Sequence, residues 1–240
     1  MTRVRAFVAF AIGVLLTAAC TAPVPRPAEL LPPAPSDFPA QRYETAIARG
    51  EPIFRIDPAR SLIVIEVRRG GSLARLGHDH VVASHDVYGF VAPQERRADL
   101  YVPLDRLTVD EPALRAEAGF DTQPSASDVA GTRSNMLVHV LSADRFPFAL
   151  VSISEVDQRG RDSSATLALA LHGTTRTMRI PLQIDPAGAA IAADGRIALK
   201  QSDFGIEPFS ILGGAVQVQD EITLRFRIYA SRAGRGVDPS

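Results

Sequence analysis

The 240-residue sequence contains a single cysteine, Cys20, which limits its covalent chemistry. A folded domain that follows this residue holds no thiol, so it can form no internal disulfide in an oxidising compartment. The sequence also lacks a Gly-x-Ser-x-Gly nucleophile elbow, a phosphate-binding loop and a dinucleotide-binding fingerprint. Nothing nominates a nucleophile, and we therefore expect a binding protein and not an enzyme.

An excess of charge of one sign is absent as well. The chain has 26 Lys and Arg against 27 Asp and Glu, which gives a formal net charge of -1. These charges are interspersed along the chain, whereas proteins that bind nucleic acid carry a basic patch or stripe. Nucleic acid is therefore excluded as an expected partner.

The N-terminal apolar run is too short to cross a membrane. Ala6 to Leu16 counts 11 uncharged residues, and a membrane-spanning helix needs about 20. Arg3 and Arg5 precede this run and small residues follow it, an order typical of an export signal. The run therefore predicts a signal peptide over residues 1–19.

The end of this segment, Leu-Thr-Ala-Ala-Cys, resembles a bacterial lipobox. Cleavage before Cys20 would leave that residue as a lipidated N-terminus, whereas ordinary cleavage would leave it a bystander. Thr21 is not the Asp that resembles an inner-membrane retention signal. We predict lipidation at Cys20 and a periplasmic location, with the lipid anchor in the outer membrane.

Proline marks the approach to the folded domain. Residues 21–42 hold seven prolines and so favour an extended spacer. The sequence predicts a lipidated proline-rich linker over 20–50, with one short helix at Asp37 to Gly50. A single folded domain over 51–231 and a polar tail over 232–240 complete the chain.

The stretch from Ala165 to Leu182 predicts a β-hairpin. Large and small apolar side chains alternate in its first half, in the order Leu167, Ala168, Leu169, Ala170. A period of two places the leucines on one face of a strand and the alanines on the other. Gly173 lies in the predicted turn, and a second alternation follows it.

Similar alternation predicts strands in most of the domain, at 61–68, 83–92, 98–104, 148–156, 189–199 and 222–229. The pattern disappears between these strands at 112–118 and 128–141, which suit helices, with Asp128 able to cap the second. The prediction is an all-β fold of about eight strands with one helical excursion. Such strands stack into a sandwich or close into a barrel.

Four stretches, in order along residues 52–231, resemble the YceI family of lipid- or polyisoprenoid-binding proteins. They are FRIDPARSLIVIEV, AGTRSNMLVHVLSADRFPFALVSI, LALALHGTTRTMRIPL and SDFGIEPFSILGGAVQVQDEITLRFRIYA. The resemblance implies a lipocalin-like, eight-stranded antiparallel barrel that encloses an isoprenoid or another long-chain amphiphile. It also implies export to the periplasm. The stretch Leu76 to His80 departs from the family's Gly-Leu-Ser-Lys-like pattern, so no head-group contact is carried over there.

His78 and His80 form the most conspicuous polar cluster. In an extended segment they project to the same side, which is suitable spacing for a transition metal if a third donor converges. They equally suit a polar loop at the mouth of the barrel or a contact with a lipid head group. The sequence leaves these three interpretations open.

Other candidate ligand contacts depend on the pleat of the strands. If Ala168 and Ala170 point inward, they leave room for a ligand, whereas an inward leucine face would fill the same space. Arg176 could pair with a phosphate, or it could be solvated or pair with a nearby Asp or Glu. Phe204 and Phe209 belong to an apolar, glycine-containing loop that suits a gate or packed core.

The sequence thus favours a periplasmic lipid-binding protein that encloses a polyisoprenoid or other long-chain amphiphile for storage or transport. Its expected partners are an isoprenoid or fatty-acyl lipid and, through the anchor, a membrane. We expect no other cofactor, and a homodimer is left open. The alternatives are a periplasmic protein that binds metal through His78 and His80, and a structural or partner-binding lipoprotein.

Overall fold

The computed structural model describes residues 33–160, 162–187 and 189–233. The predicted signal peptide, Cys20 and the residues after 233 in the polar tail lie outside the described residues. The helices are α1 (Ala40–Ala48), α2 (Pro112–Glu117) and α3 (Ala126–Asn135), the last continuing into a π-helical turn at Met136–Val140. The strands are β1 (Phe54–Ile56), β2 (Leu62–Val67), β3 (Arg69–Gly70), β4 (His80–Ser84), β5 (Tyr88–Ala92), β6 (Arg97–Pro103), β7 (Thr108–Val109), β8 (Phe148–Arg159), β9 (Asp162–Leu171), β10 (Thr174–Ala187), β11 (Ala190–Lys200), β12 (Ser210–Ile211), β13 (Val216–Val218) and β14 (Glu221–Arg232).

The main sheet closes on itself as an antiparallel barrel. Its strands follow the order β1, β5, β6, β8, β9, β10, β11 and β14, and β14 pairs back with β1. β2 continues the β1 edge, because it pairs with the preceding part of β14. The predicted all-β, eight-stranded antiparallel barrel is confirmed. β4 and β7 extend the sheet beyond β2, and β12, β13 and β3 form a small second sheet.

The barrel has two ends that carry different structures. At the end we call the helical end, β6 finishes at Pro103 opposite Phe148, and the chain between them contains α2 and α3. The segment 201–220, which joins β11 to β14, lies at this same end. The opposite end, which we call the turn end, carries the short connections between β5 and β6 and between β8 and β9.

The predicted hairpin forms as β9 and β10. Leu171 pairs with Thr174, and the two residues between them, His172 and Gly173, both have positive φ. A Cβ on Gly173 would lie 2.8 Å from the Phe146 ring, so glycine is required both by the turn and by the packing. The hairpin prediction is confirmed.

Two local predictions need correction. The strand predicted over 83–92 is two strands, because the backbone turns after Ser84, whose Oγ accepts a hydrogen bond from the Asp86 N–H. The cap of α3 is Ser125 and not Asp128. Asp128 lies three residues later and accepts from the Ser125 N–H, which completes a capping box.

The predicted N-terminal helix is confirmed as α1, which packs against the outside of the barrel. The ring of Tyr43 stacks on that of Phe90 with centroids 4.9 Å apart. Its hydroxyl donates to Asp99 on β6 at 2.6 Å. Among the described helices, none combines the length and the apolar character needed to cross a membrane.

Candidate ligand cavity

The barrel encloses a cavity of about 440 Å³. The walls come from side chains that alternate along the barrel strands, and most of them are aliphatic. The apolar lining residues are Ile63, Val91, Pro93, Ala98, Leu100, Val151, Ile153, Val156, Leu167, Leu169, Ile180, Leu182, Ile184, Ile191, Ala193, Ile197, Leu224, Phe226, Ile228 and Ala230. A pocket of this size and lining suits the apolar part of a small ligand.

The pleat of β9 turns its leucines inward. Leu167 and Leu169 line the cavity, and Ala168 and Ala170, which alternate with them, lie on the outer face. The expectation that these two alanines leave room inside the barrel is therefore corrected. The alternative, that an inward leucine face fills the interior, is wrong too. Room remains because Ala98 and Ala193 occupy inward positions on other strands.

The cavity opens at the turn end. Its rim contains Pro93 and Arg96 from the connection after β5, and Asp157 and Gln158 from β8. β8 reaches this rim after a bulge, where the register with β9 shifts between Ser154 and Asp157. Together with Arg97, the side chains of Arg96, Asp157 and Gln158 are the polar part of an otherwise apolar lining.

Three charged residues line the rim, and two of them have partners. Arg97 donates from Nε to Asp99 Oδ2 at 2.7 Å. Asp157 forms an exposed ion pair of 3.1 Å with Arg159. The Arg96 side chain makes no hydrogen bond or ion pair with the described part of the chain, so its positive charge is uncompensated beside the opening.

Asp99 is a buried carboxylate on the outer wall near this end. Burial alone would raise the pKa of Asp99, but hydrogen bonds from Arg97, Ser152 and Tyr43 outweigh it, so the pKa lies below its usual range. Burial and the bond to Asp99 raise the pKa of Tyr43. The network fixes α1 to the barrel wall and keeps the Arg97 guanidinium beside Asp99.

Packed side chains close the helical end. Phe204 is 2% exposed and packs with Leu199 and Ile206, so it belongs to the core and not to an opening. Phe209 is partly buried, and its carbonyl accepts from the Val218 N–H at 3.0 Å. The structure therefore places both phenylalanines at the end opposite the cavity opening.

His80 also lies at the helical end, within a buried network. Its Nδ1 is 2.7 Å from Oδ2 of Asp110, whose side chain is 1% exposed. The other carboxylate oxygen accepts from the Val81 N–H at 3.0 Å and from Arg115 Nη1 at 2.5 Å. Burial opposes ionisation of Asp110, but these bonds, first the one from His80, hold its pKa below the usual range.

His78 lies near His80 but not in this network. The ring centroids are 6.2 Å apart, and the buried Nδ1 of His78 has no hydrogen-bond partner in the described residues. The interpretation of the two histidines as a loop at the cavity mouth is corrected, because the mouth is at the other end. Among the described residues, no group of three or more His, Cys, Asp or Glu side chains could hold a metal ion.

Arg176 is not brought to the cavity. It lies at the helical end of β10, where its Nε donates to the carbonyl of Asp203 at 2.5 Å. This contact holds the segment after β11 against β10.

A split in the barrel wall separates β10 from β11. The two strands pair from Gln183–Asp194 to Ala187–Ala190, while their remaining parts make no bridges to each other. Gly195 lies at the start of this split. A Cβ there would lie 2.4 Å from the ring of Phe226, so this ring packs directly against the Gly195 backbone. Phe226 and Leu182 line both the cavity and an exterior groove of about 790 Å³. These two side chains form a thin wall between the interior and the surface.

Sequence reasoning missed the rim residues Arg96, Asp157 and Gln158. The available signals are weak. Arg96 follows a proline-containing turn between two strands, and the alternation in β8 is lost after Ser154. Neither pattern indicates which end of a barrel is open.

The comparisons with known proteins agree with this architecture. The fold is similar to that of Burkholderia cenocepacia BcnA, with a TM-score of 0.55 and 15% identity over 73% of this chain and 99% of that one. It is also similar to a polyisoprenoid-binding domain from Saccharophagus degradans implicated in plant cell wall breakdown, with a TM-score of 0.55 and 11% identity over 75% of this chain and 98% of that one. At these identities the likeness concerns the fold alone.

No curated protein matches the chain significantly. The sequence model of the YceI-like domain, however, matches residues 54–230, which cover the barrel wall except for the last two residues of β14. Together with the closed eight-stranded fold, this match shows that the chain belongs to the YceI-like family.

Proposed function

We propose that the protein binds one long-chain lipid, an isoprenoid or a fatty-acyl amphiphile, inside its barrel. The observation that carries this proposal is the cavity of about 440 Å³ with an aliphatic lining and a polar rim at one end. One apolar chain with one polar head has the same distribution of polarity. The Saccharophagus degradans domain with a similar fold is described as polyisoprenoid-binding, which supports the proposal.

The energy of burial is sufficient for such a complex. Each buried methylene contributes about 0.8 kcal/mol, so ten of them contribute on the order of 8 kcal/mol. Association costs about 4 to 15 kcal/mol in translational and rotational freedom. A chain that fills the cavity therefore binds measurably if the cost lies toward the lower part of this range.

The protein carries its ligand without reacting with it in this proposal. His80 and Asp110 resemble the base and orienting group of a nucleophilic site, but no described residue hydrogen-bonds to Nε2 of His80. The pair is also remote from the opening of the cavity, since it lies at the helical end. We propose that the protein stores or transports this lipid.

We also propose that this carrier acts in the periplasm, tethered through lipid on Cys20. The support is the basic, apolar and small-residue order before that cysteine. Changing Cys20 to Ala should release the protein from the membrane fraction of the cell. Unchanged fractionation of this variant would exclude the anchor and leave the binding proposal intact.

The binding proposal is tested by obstructing the cavity from inside. Ala193 lines the cavity, and Ala192, the preceding residue of β11, points outward opposite Tyr229. Ala193→Trp should abolish uptake of a fluorescent fatty-acyl or prenyl probe, whereas Ala192→Trp should preserve it. Thermal melting of both variants verifies that the barrel is folded.

Native mass spectrometry of protein purified without detergent gives an independent measurement. A co-purified lipid that is lost in Ala193→Trp and kept in Ala192→Trp would support the proposal. Wild-type protein that contains no lipid and takes up neither probe would refute it.

A further inference from the structure

We infer that the ligand is an anionic single-chain amphiphile and that Arg96 binds its head group. The chain that the cavity holds has about 15 non-hydrogen atoms. This inference rests on the proposed function and adds the size and charge of the ligand. The shared chemistry of the head group is an oxyanion, either a carboxylate or a phosphate. The resemblance to the YceI family does not identify Arg96 as a binding residue.

The size follows from the cavity volume. A cavity of about 440 Å³ holds roughly 15 non-hydrogen atoms if each takes about 30 Å³, the share of one molecule in liquid water. A palmitoyl or farnesyl chain has this size. Longer isoprenoids exceed it and would have to leave part of the chain in solvent.

The position of the head group follows from where polar atoms are found. The body of the cavity is lined by aliphatic side chains, and the polar lining residues are all at the turn end. The helical end is closed by Phe204 and Ile206. A charged head group that entered the body or the helical end would lose its hydration without a partner, which is strongly unfavourable. The head group therefore stays at the rim.

The sign of the head group follows from the charges at the rim. Arg97 is engaged by Asp99, and Asp157 by Arg159. Glu95, next to the rim, is paired with Arg42. Arg96 is left with a guanidinium that has no partner in the described residues, and a guanidinium offers paired donors that match a carboxylate or a phosphate.

The backbone at Arg96 supports a role for its side chain. Its φ is +51°, in the left-handed region that glycine and asparagine adopt more readily than arginine. The turn itself therefore does not call for arginine. Glycine or asparagine would form this backbone conformation more easily than arginine. The presence of arginine here therefore favours a role for its side chain at the rim of the cavity.

The experiment measures displacement of a fluorescent acyl probe by matched pairs of ligands. Palmitic acid is compared with hexadecanol, and farnesyl phosphate with farnesol, each pair differing only in head-group charge. We expect the anion to bind at least tenfold more tightly than its neutral counterpart, which is about 1.4 kcal/mol. Whichever of the two anions shows the larger ratio identifies the head group as carboxylate or phosphate.

Variants then assign this preference to one side chain. Arg96→Asn suits the left-handed backbone and removes the charge, so the preference for anions should disappear while neutral ligands bind as before. Arg96→Lys should retain most of the preference. Arg232→Gln is the matched control, because Arg232 is an exposed arginine at the same end that does not line the cavity.

The outcomes separate this inference from the proposed function. Equal binding of anionic and neutral ligands, or an unchanged preference in Arg96→Asn, would overturn the head-group assignment while lipid binding stands. Binding of arachidic acid or geranylgeranyl phosphate as tight as that of their shorter homologues would overturn the size limit. Absence of binding by every ligand would refute the proposed function itself.

Inorganic phosphate is a probe without a chain. It should not displace the acyl probe at millimolar concentration, and displacement would show a free-phosphate site instead.

Discussion

The two ends of the barrel treat their charged side chains differently. At the helical end, Asp110 accepts hydrogen bonds from the partly buried His80 and from the buried Arg115 and Val81 N–H. At the turn end, Arg96 stands beside an apolar cavity and has no partner in the described residues. The buried carboxylate at the helical end is thus satisfied internally, whereas the turn end, besides its satisfied Asp99, leaves the charge of Arg96 available to a ligand.

This difference separates structural from functional polar residues. A buried charge must be paired and hydrogen-bonded, so a closed network is what folding itself requires. An uncompensated charge at the edge of a cavity contributes nothing comparable to folding. Titratable clusters are common signs of functional sites, but here the cluster around Asp110 holds the helical end together and does not line the cavity.

The largest expected effect comes from breaking the network at the helical end. Asp110→Ala leaves Arg115 buried without its carboxylate and the Val81 N–H without an acceptor. We expect a loss of about 3 to 5 kcal/mol in the free energy of unfolding, because an uncompensated buried charge remains. Urea unfolding measured by circular dichroism gives this value.

Asp121 provides a control at the same end. It is exposed and lies 3.4 Å from Arg69, so Asp121→Ala should cost less than about 1 kcal/mol. A loss of similar size in both variants would show that the Asp110 network is not what distinguishes the helical end.

A smaller effect distinguishes the two histidines. His80→Ala removes a hydrogen bond to a buried carboxylate and should cost about 1 to 3 kcal/mol. His78→Ala removes a ring whose buried Nδ1 has no partner, so its cost should be clearly smaller. The same unfolding experiment compares them, and ligand binding should change in neither, since both lie far from the rim. A larger loss in His78→Ala would mean that this nitrogen has a partner, such as a bound water.

The strands could be predicted from sequence because their signal is local. Alternation at Leu167 and Leu169 and the turn at Gly173 are read from adjacent residues, and the hairpin follows. The inward face could not be predicted, because leucine and alanine are both apolar and a period of two does not tell which face is enclosed. Closure of the barrel decides this question, and it depends on pairing between β1 and β14, far apart in the chain.

The site was harder to predict because its partners are distant in sequence. His80 and Asp110 are separated by 30 residues, so the spacing of His78 and His80 indicated a metal or mouth site when the true partner was a carboxylate on another segment. Arg96 and Gln158 lie at one rim because β6 pairs with β8, although a long segment with α2 and α3 separates these strands in the chain. Neither has a sequence pattern that would single it out among the charged and polar residues of the chain.

The smallest expected effect, and the sharpest contrast with Asp110, is that of Arg96→Gly on stability. Relief of a left-handed conformation gains about 1 to 2 kcal/mol, and the greater freedom of glycine in the unfolded chain offsets about 0.4 to 1 kcal/mol of it. The variant should therefore be as stable as the parent or slightly more stable, while it loses the charge at the rim. Arg97→Gly, one residue later, removes the partner of buried Asp99 and should instead cost about 1.5 to 3 kcal/mol. Thermal or urea unfolding of the two variants measures the contrast. A clear loss of stability in Arg96→Gly would mean that its side chain has a structural partner, and the turn end would then resemble the helical end after all.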